Sequence, residues 1–292
     1  GANIAIFYAI FCLTNPGDEV LVPDPGFPTY LSSIKMTGAV AKPYPLYEVN
    51  NFGIDPDDIE SRITEKTRLI IINSPQNPTG GITKIDDLIK VYNIAEKYDL
   101  YVYSDEIYSR MVYGSGDFFS ISTLDKCKKR VILANGFSKA FAMTGWRLGT
   151  LVAPSDIAEK MMLLLQTTSS CVPVFIQRAG IEAIEGNQDS VLEMLQSYKM
   201  RRDLLVDGLN KIEGITCHTP GGAFYAFPNI SKFSMSSVDF ADYILEEAGV
   251  AILPGTDFGS MGEGFVRICY ATSSDSIIEA LARICSACKK LI

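Results

Sequence analysis

Four short apolar runs, each followed by a helical pattern, constrain the first two thirds of this chain more than any other feature. Residues 19–22, 68–73, 100–104 and 130–134 are almost continuously apolar rather than alternating. A strand that is apolar on both sides is buried on both faces, which is the condition of a parallel sheet covered by helices above and below. Between these runs lie patterns such as residues 83–98, where Ile85, Leu88, Ile89, Tyr92 and Ala95 recur at helical spacing. The expectation is an α/β fold with a mostly parallel sheet flanked by helices.

The pattern changes after residue 154. Residues 155–165, 174–184 and 190–212 read as helices with little strand between them. A second strand set follows at 215–217, 222–227, 250–253 and 265–270, interspersed with helices at 238–248 and 274–288. This is an α+β layout, so a boundary is expected inside the long helix near residue 195. It divides a large domain, 1–195, from a smaller C-terminal domain, 196–292.

Composition removes several kinds of chemistry. The 292 residues contain a single histidine, His218, so a His-rich metal site has no donors and a Ser-His-Asp hydrolase would rest on that one residue. No metal site is expected. The net charge of −8 argues against nucleic-acid binding. Its one basic cluster, residues 126–130, reads as a solvated turn. Seven irregularly spaced cysteines fit free thiols in a reducing cytoplasm, with Cys285 and Cys288 as packing on a helix face. The longest apolar run, residues 4–13, is too short to cross a bilayer, and no membrane partner is expected.

Ligands of a parallel sheet bind beyond the carboxyl ends of its strands, so the residues after each run carry the chemistry. After Ile72 comes a turn, residues 73–80, presenting Asn77. After Tyr103 come Asp105 at the strand tip and Tyr108 three residues on. After Ala134 comes a small-residue loop with Ser138 and Lys139, then Arg147. An amide, a carboxylate, a phenol, a lysine and an arginine thereby meet at one sheet edge.

In this order, the set resembles the pyridoxal-phosphate (PLP) aminotransferases of fold type I, the class I/II family of aspartate, tyrosine and aromatic aminotransferases. The resemblance runs the length of the chain and is carried most strongly by residues 136–149, GFSKAFAMTGWRLG, with 15–20, Pro25-Gly26-Phe27, 220–225 and Arg267 beside it. It implies the fold type I architecture, with a sheet of the seven-stranded type and a smaller α+β C-terminal domain. It also implies that Lys139 holds PLP as a Schiff base and moves the proton at the substrate α-carbon. A lysine with a lowered pKa in a partly desolvated site is competent for both. Asp105 would keep the pyridine nitrogen protonated. Asn77 and Tyr108 would bond the ring oxygen, and Phe27 would stack on the ring. Arg147, with backbone donors from Gly1, Ala2 and Asn3 at a helix N-terminus, would hold the phosphate. Arg267 would grip the substrate α-carboxylate.

The resemblance implies a ping-pong exchange between an amino acid and a 2-oxo acid, in a homodimer. Its departures bear on substrate. Gly136 stands where many relatives carry a phosphate-binding serine, with Ser138 nearby. Asn3 stands where aspartate-specific relatives use lysine, and no arginine lies between Lys160 and Gln177. These gaps favour neutral or aromatic amino donors over dicarboxylic ones. The chain opens at Gly1 without the family's N-terminal arm, and reads as a piece of a longer protein. The alternatives are a PLP-dependent C–S β-lyase, which uses the same residues, and a non-catalytic aminotransferase-like regulatory domain.

Overall fold

A computed structural model describes residues 1–114 and 118–291. Six strands form the main sheet in the order β2-β1-β3-β4-β5-β6. They are β1 (Glu19–Asp24), β2 (Val40–Pro45), β3 (Thr67–Asn73), β4 (Tyr101–Asp105), β5 (Val131–Gly136) and β6 (Gly149–Val152). The first five run parallel and β6 runs antiparallel to β5. Seven strands were implied by the family resemblance; six are present among the described residues, with β2 and β6 at the edges.

Side-chain alternation explains why the strand sequences are apolar throughout. Leu21, Ile70, Ile72, Val102 and Val131 point to one face, where they meet Leu88, Val91, Tyr92 and Ala95 of α4 (Ile85–Lys97). Val20, Val22, Leu69, Ile71 and Ile132 point to the other. That second face is covered by Ile6, Ala9 and Ile10 of α1 (Ala2–Leu13), by Tyr30 and Ile34 of α2 (Pro28–Thr37), and by Ile157 and Met161 of α5 (Ser155–Ser169). Each fully buried side chain of this size contributes about 1.5–3 kcal/mol of transfer free energy.

The remaining helices are the short α3 (Pro56–Ser61), α6 (Val174–Glu185), α7 (Asp189–Leu209), α8 (Ser237–Ala248) and α9 (Ser274–Cys288). Helices α7, α8 and α9 enclose a separate cluster that includes Leu205, Phe240, Ile244, Ile277 and Ile284. Beside it lies a small antiparallel sheet in the order β7-β9-β8, formed by β7 (Tyr225–Ala226), β8 (Leu253–Pro254) and β9 (Val266–Cys269). The expected strand at 215–217 is only a bridge between Thr216 and Asn229, and 222–227 contracts to two residues. Cys288 is buried in the α9 cluster with Cys285 packed against it, as expected of a helix face. The basic cluster is not wholly solvated. Arg130 turns inward and donates to the carbonyls of Ala95 and Leu100, 3.0 Å from each.

The helix α1 reaches the sheet edge because Gly149 lets it. A Cβ on Gly149 would lie 2.5 Å from the Ala2 nitrogen, and one on Gly136 would lie 3.0 Å from Ile107 and 3.4 Å from Ala2 Cβ. Gly149→Ala should therefore push α1 off the sheet end and lower the unfolding free energy by about 1–3 kcal/mol. Urea titration reads this as a lower midpoint at unchanged slope; an unchanged midpoint would contradict the close approach.

Candidate active site

Parallel strands place their carboxyl ends on one edge, and the order reverses between β1's two neighbours, β2 and β3. A crevice opens beyond that point, as such topology dictates. It is a cavity of about 310 Å³ lined by Ala2, Asn3, Ile6, Phe27, Tyr30, Asn73, Asn77, Asp105, Ile107, Tyr108, Ser138, Lys139, Thr144, Arg147 and Tyr225. Nine of the eleven residues expected from the sequence lie on its wall. Gly1 sits behind Arg147, its amino nitrogen donating to the Arg147 carbonyl at 2.6 Å. Arg267 reaches the cavity through Asn77, with Nη1 donating to Asn77 Oδ1 at 3.0 Å. His218 lies outside the cavity wall.

The turn after β3 holds Asn77 rigidly. Asn73 Nδ2 donates to the Asp105 carbonyl at 3.0 Å, while Asn73 Oδ1 accepts from the Asn77 backbone N–H at 3.0 Å. Gly80 has φ +70° and no room for a side chain, with Pro220 Cβ 2.5 Å from a built Cβ. Because Arg267 occupies the Asn77 oxygen, the amide N–H₂ is the group left to meet a ligand.

Asp105 closes β4 as a buried carboxylate. Tyr30 Oη donates to its Oδ2 at 2.8 Å and the Ile107 N–H to its Oδ1 at 3.3 Å. Burial pushes its carboxyl up to about 6, against the opposing effect of those bonds. Glu106, pointing to the other side, is pushed up to about 7, again by burial, with bonds from Ser120 and Ser104 opposing. Tyr108 is buried edge-on against Phe224, with its hydroxyl 3.2 Å from that of Tyr225.

Lys139 follows β5 on a loop whose Ala142 and Arg147 both adopt left-handed φ of 53°. Such conformations are costly for residues with a side chain and gather at functional sites. Its Nζ lies 5.1 Å from the Phe224 ring centroid and 5.8 Å from that of Tyr108. Desolvation lowers the Lys139 pKa; Cys269 opposes this, and the nearby Arg267 and Arg147 add to it. A positive corner lies on the same cavity wall. The twelve-residue α1 starts at Gly1 with no side-chain cap, so its first N–H groups face Arg147 and the cavity unclaimed.

Arg267 lies between two rings, 4.4 Å from the Tyr225 centroid and 4.6 Å from that of Phe258. Its Nε is buried without a partner among the described residues. Four aromatic side chains of this site carried no expected role: Tyr30, Phe224, Tyr225 and Phe258. Tyr30 lies three residues after Phe27, and Phe224 and Tyr225 stand in the stretch 220–225 that carries the resemblance, without a role assigned there.

The raised Asp105 carboxyl makes the ligand-free protein pH-sensitive. An unfolded aspartate titrates near 4, so between about 4 and 6 the folded chain holds a proton that the unfolded chain has lost. Stability should fall as pH rises through that window, by at most about 3 kcal/mol from this residue. Asp105→Asn should flatten that part of the profile in urea melts at pH 4, 5, 6 and 7, leaving the Glu106 contribution up to about 7. An equally steep slope in the variant would exclude a buried, protonated Asp105.

Comparison with known proteins agrees with the fold. Residues 1–284 match the family Aminotransferase class I and II. The chain is 43% identical over 286 residues to the aspartate aminotransferase of Pyrococcus horikoshii, covering 97% of this chain and 73% of that one. It is 40% identical over 286 residues to aromatic-amino-acid aminotransferase 2 of Thermococcus litoralis, with the same coverage. The crystal structure of the aromatic aminotransferase from Pyrococcus horikoshii superposes with a TM-score of 0.97 at 40% identity, covering 100% of this chain and 79% of that one. The aspartate aminotransferase of Rhizobium meliloti superposes at 0.94 with 33% identity, covering 99% and 75%. The chain belongs to the class I and II aminotransferases, a PLP-dependent family, and is an enzyme of amino-group transfer.

Proposed function

We propose that the cavity binds PLP on Lys139 and passes an amino group from a neutral or aromatic amino acid to a 2-oxo acid. The observation that carries this reading is the meeting, on the wall of one 310 Å³ cavity, of a desolvated lysine, a buried carboxylate, and an uncapped helix N-terminus with an arginine. The donor set fits a planar, phosphorylated, electron-poor aldehyde. The α1 N–H groups, Ser138 and Arg147 supply donors for a phosphate, and Phe27 offers a ring wall for stacking. Asn77 N–H₂ and Tyr108 Oη offer donors for a ring oxygen, and Asp105 an acceptor for a ring N–H. PLP, when bound, supplies the electron sink that lets the substrate α-proton leave.

The residues divide the rest of the work. Lys139, poorly solvated and beside two arginines, spends more time as the free amine and can take the α-proton and return it. Arg267, with a buried orphan Nε and Asn77 at its edge, holds the substrate carboxylate. Asn3 at the cavity mouth, with no arginine between Lys160 and Gln177, leaves a side-chain carboxylate without a cation. The relatives are named for both aspartate and aromatic donors, so these positions rather than the names support the preference.

A second copy of the chain is the expected partner. Phe11, Met162, Leu163, Phe175, Ile181 and Leu192 are all more than half exposed, large apolar side chains of the kind homodimers bury. The division into domains 1–195 and 196–292 is retained in this reading, as is a cytoplasmic location, which suits seven free thiols.

Lys139→Ala should abolish the visible absorbance that PLP acquires on binding and cut transamination by at least about 100-fold. Activity surviving that change would refute the assignment. A donor screen against 2-oxoglutarate should rank phenylalanine, tyrosine and leucine above aspartate; the reverse ranking would overturn the substrate preference.

A further inference from the structure

We propose that Tyr225 is a positioning residue that serves two parts of the site at once, its hydroxyl orienting Tyr108 and its ring holding the Arg267 guanidinium. The inference rests on the roles given above to Tyr108 and Arg267, and adds what places them. Tyr225 lies opposite Cys269 in the β7–β9 pairing, so Arg267, two residues earlier on β9, is its diagonal neighbour on the same face. That register sets the guanidinium 4.4 Å from the Tyr225 ring centroid, with Phe258 at 4.6 Å. The faces of the guanidinium are thus taken by rings, and Asn77 Oδ1 takes one N–H at 3.0 Å. The remaining N–H edge is left for an anion.

The hydroxyl does a different job. Tyr225 is buried, and a buried hydroxyl without a partner is costly; its partner is Tyr108 Oη at 3.2 Å. Each phenol has one proton to give. When Tyr108 donates into the cavity, the Tyr225 proton satisfies the Tyr108 oxygen and polarises its O–H toward the ligand. Phenylalanine at 225 would fill the same space and keep the ring over Arg267, yet leave Tyr108 free to turn away. The two roles are therefore separable by mutation.

The test uses the PLP-loaded protein, with Tyr225→Phe and Tyr225→Leu compared in two measurements. One is the pH midpoint at which the visible band titrates. The other is the Kd for 3-phenylpropionate, a carboxylate that cannot react, read from perturbation of that band. Tyr225→Phe should move the midpoint up by about 0.5–1 pH unit, because a weaker donor lets the cofactor's ring oxygen hold a proton to higher pH. Its Kd should stay within about twofold, since the ring over the guanidinium is kept. Tyr225→Leu should weaken 3-phenylpropionate by roughly 3- to 30-fold and raise the amino-acid KM in step, with a smaller change in kcat. An unmoved midpoint in Tyr225→Phe, or unmoved carboxylate affinity in Tyr225→Leu, overturns the proposal; a purely structural tyrosine would lower thermal stability and leave both readouts in place. Tyr225→Met takes the place of the leucine variant if that one does not fold. Tyr108→Phe and Arg267→Leu separate the two levels of argument. If Tyr108→Phe leaves the midpoint alone, or Arg267→Leu leaves the carboxylate affinity alone, the underlying roles have failed rather than the link through Tyr225.

Discussion

Strand direction is the constraint from which the rest follows. Five parallel strands with both faces under helices leave no free sheet face, so chemistry is confined to the edge where the strands end. That edge receives Asn77, Asp105 and Lys139 from β3, β4 and β5 without any long loop to carry them. Each side chain inherits the rigidity of a strand fixed by its neighbours, which is the condition for holding reacting groups in register. Helix α1 then completes the edge from the side, and it can come close because Gly149 presents backbone where another residue would present a side chain.

One carboxylate makes three of the bonds that tie an early strand to a late loop. Asp24, at the tip of β1, accepts from the Ser260 N–H at 3.2 Å, Ser260 Oγ at 2.8 Å and the Met261 N–H at 3.0 Å. Gly259, at φ +129°, is the residue that lets this loop come so near, since a Cβ there would fall 2.0 Å from Asp24 Oδ1. Two residues beyond Asp24, the Gly26 N–H donates to the Phe258 carbonyl at 2.7 Å. Phe258 is the ring beneath Arg267, and Phe27 is the aromatic wall of the cavity. The residue that shapes the arginine and the residue that faces the ring site are thus fastened to one another across more than two hundred positions of sequence.

What could be read from the sequence follows from what is local. The central strands were legible because burial on both faces leaves an unbroken apolar run. The edge strand β2 was not, since it carries two prolines and is half exposed, which only an edge tolerates. Strand β6 begins at the last glycine of the lysine loop and was hidden in it. The late strands β7 and β8 fall within or beside the expected runs 222–227 and 250–253 but are only two residues each, so their place was legible and their length was not. In the site, groups placed by strand ends were visible one by one. Tyr30 and Tyr225 were not, because their meaning lies in partners 75 and 117 residues away. Arg130 misled for the same reason: the carbonyls that draw it inward belong to α4 and the turn after it.

Several costly features meet at the site. Arg267 keeps a buried N–H without an acceptor, α1 starts without a cap, Arg147 holds a left-handed backbone, and Asp105 is driven toward its neutral form by burial. Each of these costs folding free energy, and all four border the cavity of about 310 Å³ or, for Arg267, a residue that lines it. One phosphorylated ligand with a protonated ring nitrogen would relieve the helix end and the carboxylate, and a carboxylate substrate would relieve the arginine. The pattern of dissatisfaction therefore describes the ligands by their complement: two anionic ends, one ring cation, and a carbonyl for the lysine. A core optimised for stability alone would remove such features, so those that border this cavity are the ones a bound ligand would offset.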